Sequence, residues 1–479
     1  MKDILLYISD QHAGQVQGYL GDSIVRTPCL DQIAAQGTAF SQAYTPHPVC
    51  VPARMSLLSG QYSSHCDVMD NHTALDSNTP TFVHSLNAAG YETVLCGRMH
   101  FVGPDQRHGY ERRIAGDITQ IYHNRPTRIS AERGYHDHTL QGGPGALQYV
   151  GGGDSPSLAY DRYVVSKALS YLQGTYDRPQ FLTVGTYAPH HPYVAPKELF
   201  EYYYDRVEVP EESFAYSEHP AYAETFRERD PKLIRAVRAA YWGMVEYEDQ
   251  QIGQVYDAFQ AYLTRNHREG LFIYISDHGE HAGYRGMYGK NTFYDCSTRI
   301  PMVFAGCGIR KGACLNGPVS LLDIGPTLCA YTKAPNLPRQ EGKSLLSELF
   351  DGVEDLDRII LSETGGTIRI NRFSYGQMAR WKQYKFIHYH GFDSDDILYD
   401  LRQDPQESRN VITQHPEIAT RLRSAISACL NPKVETLQRR AIERQQAVAL
   451  LRRCSFDSEE LWHCPPEARL LPDPLFGLK

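Results

Sequence analysis

The sequence predicts an α/β fold with a large, mostly parallel central sheet flanked by helices, followed by a smaller C-terminal α+β subdomain. Three observations predict it. Short apolar runs alternate with helical stretches from residue 1 to about residue 335, the pattern of strands joined by crossover helices. Two of those runs, far apart in the chain, end in the same tetrapeptide, Tyr7 to Asp10 and Tyr274 to Asp277. After Pro338 the alternation gives way to closely spaced β-rich runs.

The elements follow in order. Ile4–Ile8 is a short, wholly apolar run and reads as a buried strand. Pro28–Gln36 reads as a helix, with Thr27 as N-cap, Pro28 in the first turn and Gly37 as stop. Thr93–Cys96, Phe181–Val184, Leu271–Ile275 and Met302–Phe304 are further strands, and Leu233–Phe259 is a longer helix. The stretch Gly116–Asp161 is rich in Gly, His, Arg and Tyr and weakly periodic. A loop of that length is functional or disordered. Beyond Pro338, Ile359–Leu361, Tyr384–His388 and Ile397–Tyr399 read as antiparallel strands and Pro416–Leu430 as a helix. From Asn431 a basic helix covers about 437–453, and a Pro-rich tail follows. Val434, Leu437, Ala441, Val448 and Leu451 recur at roughly helical spacing, which predicts a packing or subunit-contact helix. The expected organisation is a catalytic domain over 1–340, a subdomain over 341–430 and a tail over 431–479.

Bulk properties narrow the function. The 479 residues are 42% hydrophobic and 22% charged, enough for a large core and more than one folding unit. A net charge of −8 argues against a nucleic-acid or anionic-membrane binder. No apolar run is long enough to span a bilayer, and the start Met1-Lys2-Asp3 leads into an apolar run too short for a secretory signal. A cytoplasmic protein is expected. The 11 cysteines, an odd number without framework spacing, predict free thiols.

The sharpest motif runs from Pro48 to Gly60, Pro-Val-Cys-Val-Pro-Ala-Arg-Met-Ser-Leu-Leu-Ser-Gly. Pro52 suits a first helical turn and Gly60 a stop. Cys50 is then expected at a helix N-terminus, where free N–H groups and the dipole favour an anion. Arg54 adds a charge suited to sulfate or phosphate oxygens. On spacing alone, a lone cysteine is more often a buried structural residue.

The pattern Cys50-x-Pro52-x-Arg54 followed by Leu57 and Gly60 resembles that of the type I sulfatases of the alkaline phosphatase superfamily. The resemblance implies that Cys50 is oxidised to formylglycine by a maturation enzyme and that the hydrated aldehyde is the nucleophile. Asp10-Gln11 and Asp277-His278 resemble the metal-ligand pairs of the choline sulfatase and phosphonate monoester hydrolase branch. They imply one divalent cation held by Asp10, Gln11, Asp277, His278 and the converted Cys50. Calcium is the first choice, and manganese stays open because of the imidazole. The shared Tyr-Ile-Ser is read as coincident strand-end packing. The two strands are expected to lie close in one sheet and to offer their last residues to one cation.

Further matches surround this core. Cys96-Gly97-Arg98-Met99-His100 resembles the family's Gly-Lys-x-His segment, with Arg98 where lysine is usual. His100 matches the histidine that contacts formylglycine. Pro189-His190-His191-Pro192 resembles a Pro-His-x-Pro segment, which implies that His190 protonates the leaving group; His191 is its neighbour. Lys290, in Gly289-Lys290-x-x-x-Tyr294, matches a sulfate-binding lysine, and Asn71 resembles a site asparagine of the choline sulfatase branch. Arg54, Arg98 and Lys290 are expected to hold the sulfuryl oxygens. Asp323 and the Leu398–Asn410 segment also match but read as structural, Asp323 as a helix cap.

The implied activity is hydrolysis of a small sulfate monoester: aryl, tyrosine-type, choline or sugar sulfate. A phosphonate monoester or phosphodiester hydrolase on the same scaffold is the alternative, and an inactive metal-binding scaffold a third. Tails in related branches build oligomers, so a homodimer or homotetramer is expected. No nucleic-acid or membrane partner is.

Overall fold

The computed structural model describes residues 2–119, 143–214, 219–223, 225–369, 372–451 and 462. Its centre is an eight-stranded sheet in the order Ala313–Leu315, Thr38–Phe40, Met302–Gly306, Glu269–Ser276, Lys2–Asp10, Gln180–Pro189, Glu92–Gly97, Arg112–Ala115. The five strands from Glu269–Ser276 to Arg112–Ala115 are parallel; Met302–Gly306 runs against both its neighbours.

The repeated tetrapeptide has a physical meaning here. The strands that carry it are direct neighbours, paired residue for residue: Tyr7 with Tyr274, Ile8 with Ile275, Ser9 with Ser276. Side chains alternate across a sheet, so matched residues share a face. Ile4, Leu6 and Ile8 join Leu271, Ile273 and Ile275 in one core, and Leu5 and Tyr7 join Phe272 and Tyr274 in the other. Burial on both faces explains why these runs are continuously apolar. The first core is closed by the helices Cys50–Ser59, Phe82–Ala88 and Ile324–Thr332, the second by Pro28–Ala35, Pro156–Tyr171 and Pro231–Arg265. Tyr274 is more than coincident packing: the Ser9 and Tyr274 hydroxyls are 2.9 Å apart, which fixes the strand ends against each other.

Local chemistry refines several expectations. Thr27 does precede the Pro28 helix, but its hydroxyl donates to Asp31 at 3.0 Å. The first helical N–H groups, of Cys29 and Leu30, donate instead to Asp249 on the long helix, at 3.0 and 2.8 Å. That helix, Pro231–Arg265, extends past the expected ends and is capped by Asp230, which accepts from Lys232 N–H. The irregular stretch ends earlier than expected. Val150–Gly152 pairs with Tyr193–Ala195, and the helix from Pro156 is capped by Ser155; residues 120–142 lie outside the described residues.

Beyond Leu345 a four-stranded antiparallel meander forms: Ile359–Arg369, Arg372–Trp381, Tyr384–Tyr389, Ile397–Asp400. The sequence did not announce Arg372–Trp381, because Gln377 and Arg380 occupy buried positions. Gln377 donates to the Leu430 carbonyl at 2.6 Å and Arg380 to Tyr44 Oη at 3.0 Å. One face carries the helix Pro416–Cys429 and the other meets Tyr44, Tyr222 and Phe293 of the catalytic part. Asp323 accepts from Ser320 N–H and is clasped by Arg358, a structural role. Helix Val434–Leu451 packs through Leu437 on Met69 and Tyr375, and Arg440 and Arg444 reach Asp67 at 3.2 Å. The Pro-rich tail lies outside the described residues except Trp462. Nine cysteines are free among the described residues, and no described helix is long and apolar enough to cross a membrane.

Candidate active site

Because Ser9 pairs with Ser276, the next residues, Asp10 and Asp277, leave the sheet side by side at the strands' carboxyl ends, where α/β sheets bind ligands. Gln11 turns the chain with φ 72° and donates its N–H to Asp277 Oδ1 at 3.0 Å. The helix Cys50–Ser59 is buried at every residue, starts at Cys50 and stops at Gly60, which takes φ 69°. Cys50 Sγ lies 3.1 Å from His278 Nε2 and 3.7 Å from Asp10 Oδ1. Donor atoms of Asp10, Cys50, Asp277 and His278 all fall within 4.8 Å of one another.

Two guanidiniums lie beneath. Arg54 stands one turn after Cys50 on the same helix face. Its Nε donates to Asp277 Oδ2 at 2.7 Å, Nη2 to Asp10 Oδ2 at 3.2 Å and Nη1 to the Arg98 carbonyl at 3.2 Å. Arg98 donates through Nε to Asp10 Oδ2 at 2.6 Å and through Nη1 to Thr119 Oγ1 at 3.1 Å, with Asp117 alongside. Its Nη2 is 2.7 Å from His100 Nδ1. A guanidinium only donates, so His100 Nδ1 accepts. A close approach of strands delivers Arg98: its N–H reaches the Gly185 carbonyl at 2.8 Å, and a Cβ on Gly185 would sit 1.9 Å from the Arg98 oxygen. Burial opposes the charge on Asp10, but Arg98, His190, Arg54 and Lys290 hold its carboxyl well below the usual range. Burial, then Asp10, pushes the Cys50 thiol up to about 11. The expectation that Arg54 and Arg98 face the ester is thus modified: both brace carboxylates.

Lys290 is half-buried at the rim. Its ammonium donates to Gln11 Oε1 and lies 2.8 Å from His190 Nε2, while His190 Nδ1 is 2.8 Å from the His191 carbonyl. The ammonium has no acceptor, so Nε2 accepts and Nδ1–H donates. Burial, then His191 and Lys290, pushes the His190 pKa well below the usual range, so the ring is neutral. The His191 ring lies against that of His190, centres 3.9 Å apart and planes tilted by 38°. Asn71 Oδ1 accepts Val51 N–H at 2.9 Å, at the helix start beside Cys50.

Two residues escaped the sequence reading. Buried Glu280 accepts Gln11 Nε2–H, Tyr193 Oη–H at 2.9 Å and Gly289 N–H at 2.7 Å, so it anchors both the amide and the lysine's loop. Its place three residues after Asp277 was the available signal. Asp117 accepts the His100 N–H at 2.9 Å, but its aperiodic surroundings gave no signal.

The donor set fits a divalent cation. Each carboxylate gives one oxygen to the arginines and turns the other toward the cluster: Asp10 Oδ1 and Asp277 Oδ1 lie 3.9 and 3.6 Å from His278 Nε2. His278 Nδ1 is 3.1 Å from the Gly279 carbonyl, which fixes the tautomer that leaves Nε2 as a lone-pair donor. Gln11 differs from expectation: its amide oxygen is given to Lys290.

A family model described as Sulfatase matches residues 2–334, well over half of the chain. The chain belongs to the sulfatase family. As a sulfatase it is a sulfuric ester hydrolase. A second model, N-sulphoglucosamine sulphohydrolase, C-terminal, matches residues 279–432. The choline-sulfatase of Rhizobium meliloti (strain 1021) is 30% identical over 436 residues, covering 85% of this chain and 82% of that one. Arylsulfatase K of Canis lupus familiaris is 28% identical over 473 residues, 90% and 83% of the two chains. The crystal structure of the phosphonate monoester hydrolase of Agrobacterium radiobacter superposes with a TM-score of 0.72 at 22% identity, covering 92% and 96%; it speaks to the fold of this sulfatase.

Proposed function

We propose that this sulfatase hydrolyses a small sulfate monoester with a formylglycine nucleophile made from Cys50 by a maturation enzyme. The observation that carries the reading is the position of Cys50. It opens a wholly buried helix, its Sγ meeting Asp10 and His278 at the mouth of the cation cluster. Asp10, Asp277 and His278 would hold the cation; their carboxylates favour calcium and the imidazole leaves manganese open. When bound, such a cation supplies Lewis-acid polarisation of the ester and lowers the pKa of a coordinated hydroxyl.

The remaining work falls to this chain's own residues. Arg54 and Arg98 keep Asp10 ionised, and their donors aim the carboxylates of Asp10 and Asp277. Lys290, at the rim, is the ammonium we assign to a sulfuryl oxygen, and Gln11 to holding it. The Lys290 ammonium donates to His190 Nε2 across 2.8 Å, and we assign to that pair the proton that the leaving oxygen takes. His100, held by Arg98 and Asp117, is assigned to proton removal as sulfate departs. Burial of the cluster keeps competing water out and strengthens each charge.

The test is co-expression with a formylglycine-generating enzyme, mass spectrometry of the Cys50 peptide, and a panel of aryl, choline, sugar and amino-acid sulfates beside one aryl phosphonate monoester. The expected result is an aldehyde at residue 50 whose occupancy tracks kcat on a sulfate ester. Full turnover with an unmodified thiol would overturn the nucleophile. Preference for the phosphonate would overturn the ester class.

A further inference from the structure

The strand Gln180–Pro189 follows the central strand in register as far as Gly185 opposite Ile8, then slips, so that Pro189 faces Asp10. Thr186, Tyr187 and Ala188 lie in the slip, all buried. Buried N–H groups need acceptors. Asp161, on the helix Pro156–Tyr171, supplies two: Oδ1 accepts Tyr187 N–H at 2.6 Å and Oδ2 accepts Ala188 N–H at 2.9 Å. A second carboxyl, Glu248 on the long helix, accepts the Thr186 hydroxyl. Both carboxyls have zero exposure.

The gripped segment carries the histidine. His190 N–H donates to the Tyr187 carbonyl at 3.0 Å, and the two rings lie 4.7 Å apart. The Arg98 guanidinium lies over the same tyrosine ring, 4.8 Å from its centre. Backbone and ring of Tyr187 therefore both set where the imidazole stands.

We infer that Asp161 is a positioning residue for His190: it clamps the Tyr187–Ala188 bulge and so fixes the imidazole that meets the substrate. The inference rests on the reading of His190 given above. A carboxylate is the chemistry this clamp requires. It accepts twice, whereas an amide accepts at one oxygen only and would turn its NH2 against the other N–H. Burial raises the Asp161 pKa to about 7, and burial together with the Asp161 charge pushes Glu248 well above its usual range, so the pair keeps one proton on the Glu248 side.

The test is a double-mutant cycle on one sulfate ester, with kcat, KM and Tm for the wild type, Asp161→Asn, His190→Ala and the double variant. A misplaced reacting group costs about 10- to 100-fold. Asp161→Asn is expected to lower kcat by that factor in the wild-type background and by less than about twofold where His190 is already alanine. An equal loss in both backgrounds would overturn the inference, because a merely structural aspartate acts independently of His190. A His190→Ala enzyme with wild-type kcat would remove the reading of His190 and this inference with it. A slow His190→Ala enzyme with additive Asp161→Asn removes this inference alone. Should Asp161→Asn not fold, Thr186→Val enters the same cycle. It loosens the bulge from the Glu248 side, keeps both backbone bonds to Asp161, and is expected to show the same non-additivity.

Discussion

At the floor of the site two arginines serve carboxylates: Arg54 spans Asp10 and Asp277, and Arg98 spans Asp10, Asp117 and Thr119, all buried. At the rim a half-buried lysine serves neutral groups, the Gln11 amide and the His190 ring. The contrast follows from the side chains. A guanidinium is a planar fork of five donors, always charged and weakly hydrated, suited to fixed buried acceptors; an ammonium is a compact charge on a flexible stem. The floor therefore fixes geometry, and the rim keeps a cation whose partners an incoming anion can replace. Asp10 shows what the floor achieves: the cations Arg98, Arg54 and Lys290 overcome complete burial to keep it ionised.

Three variants should break this division, and the largest effect belongs to the residue where floor and rim meet. Cys50→Ala is expected to reduce kcat/KM by more than about a thousandfold while Tm, followed by calorimetry, stays close to that of the wild type. Retained turnover would show that the cluster works without residue 50. Next comes the floor. Arg54→Met leaves Asp10 and Asp277 short of a buried partner, which costs about 3–5 kcal/mol. Denaturant unfolding should report that loss, and saturating calcium should restore part of it, because a bound cation stabilises the folded form by mass action. At the rim, Lys290→Gln is expected to lower kcat/KM by about a hundredfold with stability changed by less than about 0.5 kcal/mol. A large stability loss there would show that Lys290 belongs to the floor.

The same division explains what was legible in the sequence. The fold was legible because strands buried on both faces, such as Ile4–Ile8 and Leu271–Ile275, are continuously apolar. The strand Arg372–Trp381 was not, because Gln377 and Arg380 satisfy themselves on partners remote in sequence. In the site, the resemblance carried by the Cys50 motif and the two Asp pairs implied that Cys50, Asp10, Asp277 and His278 meet, and their donor atoms lie within 4.8 Å of one another. What each cation faces was not legible. Arg54 and Arg98 look like anion binders until their acceptors are seen, and those acceptors come from four segments of chain. Asp117, Asp161 and Glu280 act through backbone N–H groups or an amide, contacts that leave no spacing behind.

Asn71 supplies the smallest and most discriminating test of floor against rim. It is half-buried, like Lys290, yet it bonds a floor element, the Val51 N–H at the head of the Cys50 helix. By satisfying that free N–H as an N-cap side chain does, it would contribute about 1 kcal/mol, so Asn71→Ala should lower stability by that amount and kcat by only a fewfold. Asn71→Asp keeps the accepting oxygen and adds an anion at the positive end of the helix, which stabilises such a terminus by about 0.3–1 kcal/mol. On the proposed reading, that charge stands beside Cys50 and repels an incoming sulfate ester. A purely capping Asn71 predicts that the aspartate variant matches or exceeds wild-type stability and raises KM without altering kcat. If the aspartate variant instead loses kcat as Lys290→Gln does, Asn71 touches the reacting group, and the line between floor and rim runs below Cys50 rather than beside it.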